Sequence, residues 1–402
     1  MAMQVGVITL VLVSMGWAVA QAAAGTTLPD AHNVVSVGRL DIEGGGMVDV
    51  RGNLAVIGHM GPPYATSILD VSDPAAPKLL ARIPVKPGTH SHKARLCGTT
   101  LITNHEAYGG GPQSSLGLGF FDVSDPARPR EIGFFPAGGG NGVHRFEADC
   151  ARKLVYAGMS ADGYRGSLVR IVSFADPSRP VEVGRWALPG QRVGGGEAPL
   201  KGFDGYRVHH PNRLGDRLYV SLWSDGFAIV DIADLARPKT VSLTGYPRPS
   251  GAPTHTALPV GHAIGGRRWA VLFDEDLGGG CERPAHMWMA DITDERTPVV
   301  GAPFQPPAPP RCEGRSGAHQ PHEFVGEDNL VYAAWFNRGL RVVDIGDPYR
   351  PTEVGHYVPR REGGRPALTN DVFVDGRGLI YLIDRDAGLD ILRFTGRSQN
   401  PP

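Results

Sequence analysis

Most of the fourteen histidines in this 402-residue chain occupy one recurring place in the sequence. Each place lies upstream of a short apolar strand that opens at Leu54, Leu101, Leu154, Leu218, Trp269, Leu330 or Leu379. Counting back from those residues reaches His92, His144, His209 and His210, His255, and His322; His255 is the loosest, 14 residues before Trp269. His90 and His319 sit two and three residues before His92 and His322, while Gly46 and Asn370-Asp371 fill the two remaining places. Neutral imidazoles held by several rigid strands form a nitrogen cage suited to Cu, Zn, Fe or Ni, and a nearby acid can fix each ring's tautomer. Three or four such ligands leave coordination positions open for water, O₂ or substrate. The spacing therefore names His92, His144, His210, His255 and His322 as ligands of a transition metal, with His90, His209, His319 and His105 as alternates. Copper or iron is favoured over zinc, and the expected chemistry is oxidation or oxygenation of a small molecule.

The acidic run Asp274-Glu275-Asp276 offers Asp274 and Glu275 as a general base or further ligand. Arg145 and Arg207, beside the histidine positions, are candidates for holding an anionic substrate, although solvated arginines are commoner. Trp223, Trp288 and Trp335 read as packing residues. Two blander readings stand beside the metal: histidines at strand starts can bond neighbouring carbonyls as a polar plug, or they can line a metal-free pocket. The rival function is a non-catalytic surface or periplasmic binding protein that presents this face to a peptide or glycan.

What must position these residues is an internal repeat. LDVSDPAAP at Leu69–Pro77 recurs as FDVSDPARP, VSFADPSRP, VDIADLARP, ADITDERTP and VDIGDPYRP, with a degenerate seventh copy, GLDILRF. Anchored at Asp70, Asp122, Ser173, Asp231, Asp291, Asp344 and Arg393, the copies are 52, 51, 58, 60, 53 and 49 residues apart, the size of one four-stranded propeller blade. Alternating β-branched and aromatic residues bounded by Gly, Pro and Asp give strand signals throughout. The repeated Asp residues read as turn caps, since a carboxylate there accepts backbone N–H groups. The last unit lacks an outer strand and the chain begins with an unattached one, VVSVGRLDI at Val34–Ile42. Their pairing closes a ring and removes its exposed edges, predicting an all-β, seven-bladed β-propeller over residues 34–394.

The DVSDPxxP consensus and the stretch GLRVVDIGDPYRPTEVGHY resemble the LVIVD-repeat proteins, exported bacterial β-propellers, over nearly the whole mature chain. A fainter resemblance, in blade number and inward histidines, is to the selenium-binding-protein and methanethiol-oxidase propellers. That likeness implies histidine-held copper.

Composition supports this picture. There are 55 Gly and 35 Pro, more than a fifth of the chain, and 41% hydrophobic residues, as a turn-rich β protein requires. With 40 Lys and Arg against 41 Asp and Glu, the net charge of −1 provides no basic field for nucleic acid. Val5–Ala20 is an apolar run followed by small-x-small sites, so residues 1–24 read as an export signal, although no basic residue precedes the run. A retained N-terminal anchor is the alternative. Cleavage would leave a mature monomer with no membrane segment, in the periplasm or secreted, ending in a 395–402 tail. Four cysteines in an exported chain suggest two disulfides. The repeat places Cys97 and Cys150 in equivalent turns of neighbouring units, and Cys281 and Cys312 in nearby loops, giving Cys97–Cys150 and Cys281–Cys312. There is no GxSxG, HExxH, CxxC or phosphate-binding glycine loop.

Overall fold

The computed structural model describes residues 30–397 apart from 110–114, 204, 249, 279–280, 282–284, 308–312 and 361–364. The expected export signal and most of the 395–402 tail lie outside the described residues. Seven antiparallel sheets form the blades of a ring. Blade 1 shows the unit: strands Gly45–Arg51, Leu54–His59, Tyr64–Asp70 and Lys78–Pro84 succeed one another from the axis outward. Each repeat anchor pairs with the start of its own second strand or the residue before it, as in Leu54 with Asp70, Leu154 with Ser173, Leu330 with Asp344 and Leu379 with Arg393. The ring closes as the sequence predicts, with Val34–Leu40 pairing Gly388–Phe394 as the outer strand of blade 7. Blade 6 departs from the pattern. Its innermost strand is reduced to a bridge at Pro321, which lacks the N–H a ladder needs, and Ala31–His32 adds an outer strand.

The Asp pairs of the repeat build the turn after each third strand. Asp70 Oδ1 accepts the Ser72 N–H at 2.9 Å and Asp73 Oδ1 accepts the Ala75 N–H at 3.0 Å; Asp122 with Ser124 and Asp125 with Ala127 repeat the pattern. In blades 1, 3 and 4 this turn docks on a glycine in the outer strand of the preceding blade. A Cβ on Gly38, Gly133 or Gly184 would overlap the carbonyl of Pro74, Pro177 or Leu235, respectively. Inside the ring, seven apolar clusters occupy the seven blade interfaces. Phe120, Phe146 and Phe174 pack between blades 2 and 3, and Phe273, Met287 and Trp335 between blades 5 and 6. The ring-closing interface joins Tyr381, Ile383 and Leu389 to Val48, Ile57 and Leu69. On the lower face, Cys97 and Cys150 form a disulfide between the inner-strand ends of blades 2 and 3, with Cα atoms 5.1 Å apart. Cys281 is also disulfide-bonded, and its expected partner Cys312 lies outside the described residues. No helix among the described residues is long and apolar enough to cross a membrane.

The seven inner strands bring charged side chains to the axis, where they must find partners. Glu323 of blade 6 receives Arg145 of blade 3 at 2.7 Å, Arg95 of blade 2, and Gln320 at 3.0 Å, with His210 of blade 4 at 3.4 Å. Burial tends to raise the Glu323 carboxyl, but Arg95, His210 and Arg145 together hold it well below the usual carboxylate range. This cross-channel cluster plugs the axis. Below it, a cavity of about 330 Å³ opens at the lower mouth, lined by Arg51, Glu147, His322 and Phe324 among others.

Two outcomes follow. Gly184→Ala lowers the unfolding free energy in urea by about 1–3 kcal/mol, the cost of forcing a methyl into packed backbone, whereas Gly245→Ala, with open space around the new methyl, changes it little. Glu323→Ala strands two buried guanidinium groups and costs about 3–5 kcal/mol in the same assay.

Candidate functional site

The upper face, where the innermost strands begin, carries a row of imidazoles. His92 of blade 2 contacts His144 of blade 3 with ring centroids 4.9 Å apart, His144 contacts His209 of blade 4 at 4.7 Å, His209 contacts His255 of blade 5 at 4.3 Å, and His255 contacts His319 of blade 6 at 4.3 Å. His90 stacks on His92 at 4.5 Å. Blades 7 and 1 contribute Asn370 and Gly46, which face each other as the Asn370 amide donates to the Gly46 carbonyl.

Sequence spacing names His210 and His322 for this row, and the structure replaces them with His209 and His319. Successive residues of an extended strand point opposite ways. His210 therefore turns from the row toward Glu323, and His322 lies at the lower mouth against Phe373 with Nδ1 accepting the Val374 N–H. His255 keeps its place despite the long spacing because its inner strand, Thr254–Ile264, is 11 residues long. His105 does not join the row. It is buried within blade 2 beside Thr103 and Phe134.

The acidic run Asp274-Glu275-Asp276 divides three ways. Asp274 is fully buried, accepting Tyr246 Oη–H at 2.8 Å and Trp288 Nε1–H at 2.7 Å, and burial pushes its carboxyl up to about 6. It is an anchor between blades and does not touch the imidazoles. Asp276 holds the loop at Ser316 and Gly317 through their backbone N–H groups. Glu275 alone reaches the row, with Oε1 3.8 Å from His319 Nε2 and Oε2 4.0 Å from His255 Nε2, while Oε1 also accepts Arg315 at 2.6 Å.

Hydrogen bonds fix the tautomers of three rings. His209 Nδ1 donates to the His255 carbonyl at 2.6 Å and His319 Nδ1 to the Asn370 carbonyl at 2.5 Å, because a carbonyl can only accept. Thr256 spends its hydroxyl proton on Gln320 Oε1 at 3.3 Å and so accepts His255 Nδ1–H at 2.8 Å. All three Nε2 atoms are left as bare lone pairs. That of His209 is buried without a partner. His209 and His255 with Glu275 bring one ligand atom each to within 4.8 Å of one another. Burial, the largest effect, together with neighbouring cations, pushes His209, His255 and His319 well below the usual imidazole range, so the rings stay neutral. Three neutral imidazoles and a carboxylate are a donor set for a transition metal, and the carbonyls and hydroxyl behind them set the ring orientations.

The other half of the row is arranged differently. Glu106 lies 2.9 Å from His90 Nε2 and 2.8 Å from His144 Nδ1. His90 Nδ1 also faces the Met60 carbonyl at 2.9 Å, so both of its ring nitrogens lie against oxygens. Burial would raise Glu106, but the charge of His144 and the hydrogen bonds from His144 and His90 outweigh it and hold the carboxyl well below its usual range. His92 Nδ1 accepts the Asn104 amide at 3.3 Å, which leaves its proton on Nε2. This half is a proton-bearing cluster beside the lone pairs of the first. Between the row and the plug, Lys93 is buried with no carboxylate within 4.0 Å among the described residues, and burial and then Arg145 drive its ammonium well below the usual range.

Two aromatic residues bracket the lone-pair half. Trp223 contacts His209 with ring centroids 4.8 Å apart and Phe336 contacts His319 at 4.5 Å, both pairs tilted. Both adopt left-handed backbone, φ 57° and 34°, unusual for bulky side chains. Each uses its carbonyl to accept the N–H of the next blade's inner strand, at Thr254 and Thr369. Neither was legible as a site residue, although each lies two residues past the end of a second strand and immediately follows a buried residue. The sequence reading of Trp288 and Trp335 as packing residues holds, and Trp223 departs from it.

The LVIVD repeat matches residues 48–83, 214–243 and 327–358, in blades 1, 4 and 6. No curated protein sequence matches the chain. Among solved structures, a chain of the crystal structure of the Mitotic Checkpoint Complex aligns at 12% identity and TM-score 0.56, covering 97% of this chain and 98% of that one. The computationally designed Ika8 protein aligns at 8% identity and TM-score 0.47, covering 89% and 98%. The first of these is a likeness of fold. The LVIVD repeat thus recurs in three blades of a closed seven-bladed ring, an architecture consistent with an LVIVD-repeat propeller.

Proposed function

We propose that this propeller is an exported, metal-dependent oxidoreductase acting on a small molecule, with the ion held by His209, His255, His319 and Glu275. The observation that carries the reading is the set of three Nε2 lone pairs, freed by hydrogen bonds at Nδ1 and facing a carboxylate, one of them a buried orphan. Leaving such an atom unpartnered is costly unless a ligand answers it. Bound copper or iron would supply redox chemistry and open positions for O₂ or substrate. The chain's own contributions are orientation, burial and proton handling. The His255 and Asn370 carbonyls and the Thr256 hydroxyl keep the three rings aimed, and Arg315 holds Glu275 in place.

Proton transfer falls to Glu106 with His144. Asp274, committed to Tyr246 and Trp288, does not face the row. His144 holds a proton on Nδ1 against Glu106 and is about a quarter exposed, so it can pass one to a molecule in the adjoining cleft. The Cys97–Cys150 bridge favours an oxidising compartment, in keeping with the expected export signal.

Untagged protein purified from the periplasm and analysed by inductively coupled plasma mass spectrometry contains near-stoichiometric copper or iron. His209→Ala combined with His255→Ala lowers that content at least fivefold while the melting transition persists. Stoichiometric zinc instead redirects the reading to hydrolytic or structural chemistry. No metal after reconstitution, or full stoichiometry in the double variant, defeats it.

A further inference from the structure

The bracketing aromatics each carry an arginine as well as an imidazole. Arg315 lies over Phe336 with its guanidinium carbon 3.8 Å from the ring centroid, and Arg207 lies over Trp223 at 4.0 Å. The two devices differ in what the guanidinium holds. Arg315 donates to Glu275 at 2.6 Å and to the Asp276 carbonyl. Arg207 has no side-chain hydrogen bond and no ion pair among the described residues. Its position is half-buried, and it lines an open cleft of about 560 Å³ whose walls include Glu106, His144 and Ser160.

An arginine held over an aromatic ring has part of its conformational freedom already spent, and its planar fork of donors matches a carboxylate. Of the carboxylates at the cleft, Glu106 is already hydrogen-bonded to His90 and His144. Asp162, at the exposed rim, has no such partner among the described residues. A second negative charge on the ligand would meet it. We propose that this cleft takes a small monocarboxylate, its carboxylate paired with Arg207 and the rest of the molecule lying toward His144. The proposal rests on the reading of the imidazole face as the working face, and it names the substrate class for that site. Arg145, the other arginine singled out by the sequence, is spent on Glu323 and takes no part.

The test is isothermal titration calorimetry of the full chain with benzoate and with neutral benzamide, on protein as purified and after metal removal by a chelator. Benzoate binds and benzamide does not. Arg207→Gln weakens benzoate by roughly tenfold or more, the usual loss for a charged hydrogen-bonded pair, and Arg207→Lys by less. Asp162→Asn leaves benzoate unchanged or tightens it. Thermal melts confirm that each variant is folded. Arg207-dependent benzoate binding that survives in metal-free protein upholds the anchor even if the metal assignment fails. The proposal is overturned if benzamide binds as well as benzoate, if neither binds, or if Arg207→Gln matches the unmodified protein.

Discussion

Everything in this molecule depends on the closure of the ring by Val34–Leu40 against Gly388–Phe394. A blade alone has two apolar faces and two open edges, and only a neighbour on each side covers the faces. The seven interface clusters are therefore one connected requirement, and the final pairing supplies the seventh. Closure also forces seven strand beginnings toward one axis. That convergence allows residues hundreds of positions apart in sequence to share hydrogen bonds.

Convergence creates a problem as well as a site. Charged groups brought to the axis lose water and must be answered by each other. The structure resolves this in layers: a row of neutral and proton-sharing imidazoles above, Lys93 in the middle, and the Glu323 cluster with Arg95 and Arg145 beneath. The layers are polar for different reasons. The lower one cancels charge, and the upper one keeps lone pairs available.

The fold was legible because its signals are local and recur. The Asp-Pro turn, the strand alternation and the fifty-residue step each appear in one unit and then again, and the same hydrogen bonds build each turn. The site was legible only to the resolution of a strand position. Counting residues located the row but could not distinguish His209 from His210 or His319 from His322, since that choice depends on strand parity and on the break at Pro321. Nor could it show that three neighbouring acids would take three unrelated roles, because Asp274, Glu275 and Asp276 are separated by the partners that other blades bring. Trp223 and Phe336 were hidden for a similar reason. Their left-handed backbone is set by the next blade's strand, which no local pattern records.

The Glu323 cluster has a further meaning for traffic through the molecule. Because it spans the axis between blades 2, 3, 4 and 6, the channel is a well with a floor and not a passage. Whatever reaches the imidazoles must leave by the opening through which it arrived. On the proposed reading of that face, arrival and departure would share a single doorway at the upper rim.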